Sequence, residues 1–189
     1  MWAFFKQFLK NCRDTGAVSP SSRELADLVT SSAELESAGT VVEFGTGTGV
    51  FTECIQRKIN PGALFFALEI NPYFYQKTRE RCPDCCVYCD SAAHVSNYLE
   101  KHGLKECDCI VSGLPWTAFG RKLQEQLLNA TVAALKPAGR FVTFSYLPFH
   151  LMPAGTRFRE MLCEKFNTVE RSRVVWRNFP PAFVYVCRK

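Results

Sequence analysis

The residues of this 189-residue chain that could do chemistry gather where β-branched or aromatic runs end. After TVVEF comes the turn Gly45-Thr46-Gly47-Thr48-Gly49, and a helical pattern follows it. Glycines at every second position let backbone approach a ligand, because they lack Cβ and tolerate positive φ. The helix start adds free N–H groups suited to a carboxylate or phosphate. Glu43 stands just before this turn. The run FFALEIN places Glu69 and Ile70 at its end, 24 residues beyond Gly45, where a carboxylate can accept both hydroxyls of a ribose. A third run ends in Cys89, Asp90, Ser91 and Ala92, with Asp90 able to accept an adenine amino hydrogen. The fourth, DCIVS, ends in Ser112, Gly113, Leu114 and Pro115. A dinucleotide fingerprint would need its third glycine at position 50, where Val50 stands, so the spacing argues against a nicotinamide cofactor.

Positioning these groups requires alternating strands and helices from residue 40 onward, which reads as parallel β-α-β winding. Strands are expected near 40–45, 64–69, 86–89, 108–112, 139–146, 168–176 and 182–187, with helices near 49–59, 73–82, 93–102, 119–135 and 156–164. The last two strands follow one another across Asn178, Pro180 and Pro181, as an antiparallel pair would. The expected fold is α/β: a doubly wound, Rossmann-like, mostly parallel seven-stranded sheet with an antiparallel C-terminal strand, preceded by N-terminal helices. One domain spanning 1–189 is expected, with 1–35 as a helical lid or anchor. In MWAFFKQFLKNC, Trp2, Phe5, Phe8, Leu9 and Cys12 share one helical stripe, and Ser21 or Ser22 can cap a second helix carrying Leu25, Leu28 and Val29 inward.

The hydrophobic fraction of 47% can fill one sizeable core. No apolar stretch reaches the roughly 20 residues of a membrane-spanning helix, and no secretion signal is read at the start. The ten cysteines are therefore taken as reduced thiols. Cys82, Cys85, Cys86 and Cys89 have spacings that resemble metal ligation. A strand there would put Cys85 and Cys89 on one face and Cys86 on the other, so no metal is expected. The net charge is +5, and from Arg157 to Lys189 eight Lys/Arg face only Glu160, Glu164 and Glu170. Such a basic excess suits an anionic partner, either a phospholipid surface or nucleic acid.

The glycine turn with its following acids resembles the S-adenosylmethionine-dependent methyltransferases, which wrap the methionine part of that donor in such a loop. That resemblance implies Glu43, Gly45, Thr46, Gly47, Gly49, Glu69, Ile70, Asp90, Ser91, Ala92 and Ser112 as donor-binding residues. Amine methyltransferases keep an Asp/Asn-Pro-Pro-Tyr or Asn-Leu-Pro-Tyr motif at the fourth strand end, and here Ser112 stands for the asparagine. The Ser112 hydroxyl and the Gly113 carbonyl are then expected to hold the acceptor nitrogen. Tyr146 and His150 offer relays for its proton, although a loop histidine is more often simply solvated.

Further segments narrow the resemblance: FLKN, GAVSPSSR, VVEFGTGTGVFT, LEIN, SGLP, FSY and RNFPPAFVYVCRK. Over nearly its whole length the chain resembles the bacterial phospholipid N-methyltransferases of the short soluble class, which methylate phosphatidylethanolamine stepwise. That family relationship implies a phospholipid headgroup as acceptor and an anionic membrane surface as partner, with no nucleic acid. It implies Ser19, Ser21, Arg23 and Tyr146 near the headgroup, and Arg177 and Asn178 beside the mouth of the site. Arg177 could grip a lipid phosphate through two parallel hydrogen bonds. A cytoplasmic protein on the inner face of the membrane is expected, its first helix serving as interfacial anchor or as lid. Two other readings remain. One is a ribosomal RNA adenine dimethyltransferase, usually carrying an added helical domain. The other is a membrane-surface protein that binds the donor without transferring a methyl.

Overall fold

The computed structural model describes residues 22–189. Seven strands form one sheet, β1 (Thr40–Phe44), β2 (Leu64–Leu68), β3 (Cys86–Tyr88), β4 (Cys107–Ser112), β5 (Leu135–Tyr146), β6 (Thr168–Arg171) and β7 (Ala182–Arg188), in the order β3-β2-β1-β4-β5-β7-β6. The pairs β1–β2, β1–β4, β2–β3 and β4–β5 are parallel, while β7 runs antiparallel to both β5 and β6. The chain winds outward from β1 in one direction and from β4 in the other, so a crevice opens at the carboxyl ends of these two strands.

Side-chain alternation along the strands serves two cores. Val42, Phe44, Phe66, Leu68, Ile110 and Phe141 point to one face, where α4 (Val95–Lys101), α5 (Arg121–Ala134) and α6 (Pro153–Lys165) bring Leu99, Leu128, Phe158 and Leu162. Val41, Val111, Val142 and Val184 point to the other face, covered by Leu25 and Val29 of α1 (Arg23–Ser31) and Phe51 and Ile55 of α2 (Val50–Lys58). Strands covered by helices on both faces are buried along their length, as are β1, most of β4 and residues 139–145 of β5.

Helix starts follow local chemistry. The Ser22 hydroxyl caps α1 by accepting from the Leu25 N–H at 3.2 Å, and Asn71 caps α3 (Pro72–Arg81) with Pro72 in its first turn. Pro153 likewise opens α6, three residues earlier than the sequence pattern suggests. β5 starts at Leu135 rather than 139, because Cys107 pairs with Leu135 before a register shift. The expected strand over 168–176 ends at Arg171, and only a Val175–Ala182 bridge continues the pairing. The expected helix over 93–102 divides into a 3-10 turn, Ala92–His94, and α4. The expected helix at 1–12, with Ser19 and Ser21, lies outside the described residues.

The start of α1 is tied to the β6–β7 connection by one side chain. Asn178 is buried, its Oδ1 accepts from the Ser22 N–H at 2.9 Å, and its Nδ2 donates to the Pro180 carbonyl at 2.7 Å. Asn178→Ala strands both backbone groups, and urea unfolding is expected to show a loss of about 1–3 kcal/mol. An unchanged midpoint would mean that the two segments are held by other contacts.

Candidate active site

The crevice is built from backbone in close approach. The Gly113 N–H donates to the Phe44 carbonyl at 2.7 Å, and a Cβ on Gly113 would meet the Gly45 carbonyl oxygen at 2.4 Å. Gly45, Gly47 and Gly49 all have positive φ, at 73°, 54° and 80°. A Cβ on Gly45 would strike the Leu114 side chain at 2.7 Å, whereas Gly47 faces open space, so the loop is packed on one side and accessible on the other. Gly49 then serves as the N-cap of α2.

Below this loop lies α3, whose one buried residue is Thr78. The hydroxyls of Thr46 and Thr78 lie 2.7 Å apart, and Thr78 donates to the Gly47 carbonyl at 3.1 Å. Arg81 reaches the Thr48 carbonyl and binds Glu53 through two nitrogens at 2.9 and 2.6 Å. Neither Thr78 nor Arg81 was singled out by sequence. Thr78 is the small hydroxyl residue in the otherwise long-chained stretch PYFYQKTRER, and that is the sole hint of its role.

Three carboxylates meet the crevice in three environments. Glu69 is buried at the tip of β2, accepting from the Gly47 N–H at 3.0 Å and the Asn71 N–H at 2.9 Å. Burial raises its pKa, opposed by the amides of Asn71, Gly47, Thr46 and Ile70. Asp90, beyond β3, is partly open, and desolvation pushes its pKa up. The Ser91 N–H, the Tyr98 hydroxyl and His94 outweigh that and hold it low. Three bonds occupy its oxygens, from the Ser91 N–H at 2.7 Å, Tyr98 at 2.9 Å and His94 at 3.0 Å. A carboxylate offers about four lone-pair positions, so one acceptor position is left for a ligand. Ser91 is engaged in its own 3-10 turn, Ala92 is buried, and Ile70 is exposed beside Glu69. Tyr98 and His94, which hold Asp90, could not be foreseen without knowing that the 3-10 turn redirects α4.

Glu43 is fully buried within β1, with Oε2 accepting from the Thr52 hydroxyl at 2.7 Å and Oε1 lacking a hydrogen-bond partner among the described residues. Desolvation, opposed by Thr52 and reinforced by nearby Glu69, pushes its pKa up to about 8.

The fourth strand end departs from expectation. Ser112 is fully buried, and its hydroxyl accepts from the Trp116 indole N–H at 3.0 Å and the Leu114 N–H at 3.3 Å. With both lone pairs taken it cannot accept from a substrate amine. Matching Asn-Leu-Pro-Tyr on Leu114 and Pro115 instead puts Gly113 at the asparagine and Trp116 at the aromatic. Trp116 is stacked 4.7 Å from Phe158 in the core rather than in the crevice. Gly113, partly exposed, therefore offers backbone without a side-chain amide.

On the other side of the crevice, Tyr146 ends β5, its ring edge-on to Phe144 and Phe149. His150 bonds through Nδ1 to the Leu147 carbonyl of its own loop and lies edge-on to Phe183. The Asn178 clamp brings the start of α1 to the 172–181 connection, where Arg177 is exposed, as is Arg23. Asn178 itself is not open to a headgroup, since its amide is used internally at both ends.

The cysteines are dispersed. Cys82 and Cys85 are buried against Ala67 and Val87, while Cys86 and Cys89 are exposed. Cys85 and Cys89 do not share a strand face, because β3 covers only Cys86–Tyr88. Burial pushes the Cys82 thiol up to about 11 and raises Cys85 further.

No family model matches the chain. The chain is similar to the ornithine lipid N-methyltransferase of Singulisphaera acidiphila, 29% identical over 98% of this chain and 94% of that one. It is also similar to the solved O-methyltransferase from Bacillus cereus in complex with SAH, with TM-score 0.71, 12% identity, and coverage of 99% of this chain and 91% of that chain. The N-methyltransferase NodS from Bradyrhizobium japonicum gives TM-score 0.68 at 15% identity, covering 88% of this chain and 95% of that one. The fold is that of the class I methyltransferases. In that fold's frame, the glycine turn, Glu69 and Asp90 occupy the tips of the adjacent strands β1, β2 and β3.

The raised pKa of Glu43 has a measurable consequence. Between the ordinary 4.5 and about 8 the folded chain holds a proton that the unfolded chain releases. Stability is thus fully present below this window and falls as pH rises through it, by up to about 1.4 kcal/mol per pH unit. Glu43→Gln is expected to flatten that decline when urea unfolding is compared at about pH 5 and about pH 8, whereas identical slopes would show that Glu43 does not titrate there.

Proposed function

We propose that this chain is an S-adenosylmethionine-dependent N-methyltransferase acting on the amine of a membrane aminolipid. The observation that carries the reading is the donor cradle: three neighbouring strand tips present an open glycine loop, a buried carboxylate and a second carboxylate with one acceptor position left. Adjacent strands lie about 4.8 Å apart, so the tips of β3, β2, β1 and β4 span on the order of 15 Å, room for a nucleoside joined to an amino acid.

Gly45, Thr46, Gly47 and Gly49 would line the amino-acid part, with the open face of Gly47 allowing the close approach; the N–H groups of Gly45, Gly47 and Gly49 are themselves engaged by the Leu68 carbonyl, Glu69 and the Thr46 carbonyl. Glu43, just before the loop, keeps one buried carboxyl oxygen without a partner among the described residues. Glu69 accepts the ribose hydroxyls and Asp90 the adenine amino hydrogen, with Ile70, Ser91 and Ala92 beside the base. When bound, S-adenosylmethionine supplies an electrophilic sulfonium methyl. The chain's own contribution is to orient an amine in line with that methyl and to exclude water, and positioning of this kind is worth up to about 7–11 kcal/mol. The Gly113 carbonyl and the Tyr146 hydroxyl are the groups that would orient the amine. An ammonium must lose its proton before attack, and Tyr146, at the end of β5, would relay it.

Relationship to an ornithine lipid N-methyltransferase at 29% identity favours an aminolipid acceptor over RNA. Ornithine lipid and phosphatidylethanolamine both present a primary amine near an anion, a carboxylate in one and a phosphate in the other. Arg177 and Arg23 supply the complementary charge, with Ser19 and Ser21 on the segment leading to them. Peripheral attachment to an anionic membrane face accords with the basic C-terminal third. Among the described residues no helix is long and apolar enough to cross a membrane.

Methyl transfer from labelled donor into ornithine lipid, phosphatidylethanolamine and ribosomal RNA separates the acceptors, and product masses count the methyls added. Incorporation into an aminolipid and none into RNA is expected. Label in RNA, or in no acceptor at all, would overturn the assignment. Glu69→Ala should weaken donor binding by about ten- to a hundredfold in calorimetry, the worth of hydrogen bonds to a charged group.

A further inference from the structure

Two loops at the acceptor side of the crevice carry large apolar side chains that the fold leaves in solvent. In the β5–α6 loop, Phe149, Leu151 and Met152 are 40%, 77% and 52% exposed. In the β6–β7 loop, Trp176 and Phe179 are 70% and 81% exposed. Of the seven large exposed hydrophobics among the described residues, these are five; the other two, Ile70 and Tyr73, lie by the donor tips. The loops are stitched together at their bases, since Leu147 N–H donates to the Pro181 carbonyl at 2.8 Å and Tyr146 pairs with Ala182. Because β7 is antiparallel to β5, both loops emerge at the same sheet edge as Gly45 and Gly113.

Charge marks this rim as well. Residues 147–152 (LPFHLM) and 172–181 (SRVVWRNFPP) contain no Asp or Glu and two arginines, Arg173 and Arg177. Arg173 is paired with Glu24 at 3.0 Å, while Arg177 is exposed. Tryptophan and phenylalanine standing beside arginine, with no acid in either loop, match the chemistry of a bilayer interface, where aromatic rings sit at headgroup depth and anionic lipids attract cations. The described fold begins at Ser22, the residue that Asn178 fastens to this rim.

We propose that the paired loops, through Leu151, Met152, Trp176 and Phe179, form a bilayer-docking surface that sets the mouth of the crevice against an anionic membrane independently of residues 1–12. The proposal rests on the aminolipid reading for its biological sense and on the exposed rim for its physics. A lipid amine then reaches Gly113 without leaving the headgroup layer, because the rim and the crevice share one edge.

Flotation of the full chain with vesicles of phosphatidylcholine, with and without phosphatidylglycerol, tests it. The parent chain should float, more strongly with phosphatidylglycerol. The Trp176→Ser/Phe179→Ser pair should lower the partition coefficient by at least about tenfold, given the transfer cost of such side chains. The Leu151→Ser/Met152→Ser pair should lower it in the same direction, and both pairs should keep the parent's thermal midpoint and donor affinity. A chain lacking residues 1–12 should still respond to the same substitutions. Flotation unchanged in both pairs, or absent in the parent, overturns the proposal. It is also overturned if the substitutions abolish a concentration-dependent dimer in sedimentation and leave flotation intact, since the rim would then join two copies. Methyl transfer in detergent micelles is scored separately, so a chain that floats but methylates no aminolipid leaves the surface standing and removes the substrate assignment alone.

Discussion

The contact between two backbones at the β1–β4 crevice constrains everything around it. Gly113 and Gly45 approach so closely that a single methyl on Gly113 would overlap a carbonyl oxygen. That proximity holds the glycine turn in its positive-φ path and leaves Gly47 facing outward. It also explains why the support comes from below, through Thr78 and Arg81 on α3: the upper side of the loop must stay clear for a ligand.

The three crevice acids show how carboxylates coexist at one edge, the repulsion between Glu43 and Glu69 being met by the raised pKa of Glu43. Environments that push pKa values apart assign different roles to chemically similar groups. Glu43, sealed in the sheet with one hydroxyl partner, keeps its proton near neutrality. Asp90, fed by an amide, a phenol and an imidazole, is held ionised. Glu69 lies between these cases, buried yet wrapped by backbone amides. On the proposed reading the neutral acid sits under the donor's amino-acid part while the two peripheral carboxylates accept hydrogen bonds from its sugar and base.

Much of this was legible in residue order. A β-branched run, a glycine turn and an acid at the next strand tip are local patterns, and local patterns survive translation into structure. What was not legible depends on pairing across long stretches of chain. Ser112 reads as a hydroxyl that holds the acceptor nitrogen until Trp116, brought back by a 3-10 turn, donates to it and the core closes over both. Asn178 reads as a headgroup ligand until it is seen holding Ser22, 156 positions away. Cys82 and Cys85 suggest ligation by spacing, but their surroundings are apolar and burial keeps the thiols protonated, so their contribution is packing.

The topology divides labour across the sheet. The candidate donor groups come from the half that winds outward through β1, β2 and β3, and the candidate acceptor-side segments from the half beyond β4. In a fully parallel sheet the connection into the last strand would have to cross to the opposite edge before returning. The antiparallel β7 avoids that, because a strand of reversed direction begins where β5 ends, and its entering loop is delivered to the crevice. Asn178 then fastens the beginning of α1 to the same loop, so three sequence-distant segments converge beside Tyr146. One strand reversal thus places the apolar, basic rim on the edge where the candidate donor cradle opens, and on the proposed reading that single edge is where a water-soluble nucleoside and a membrane-embedded amine would meet.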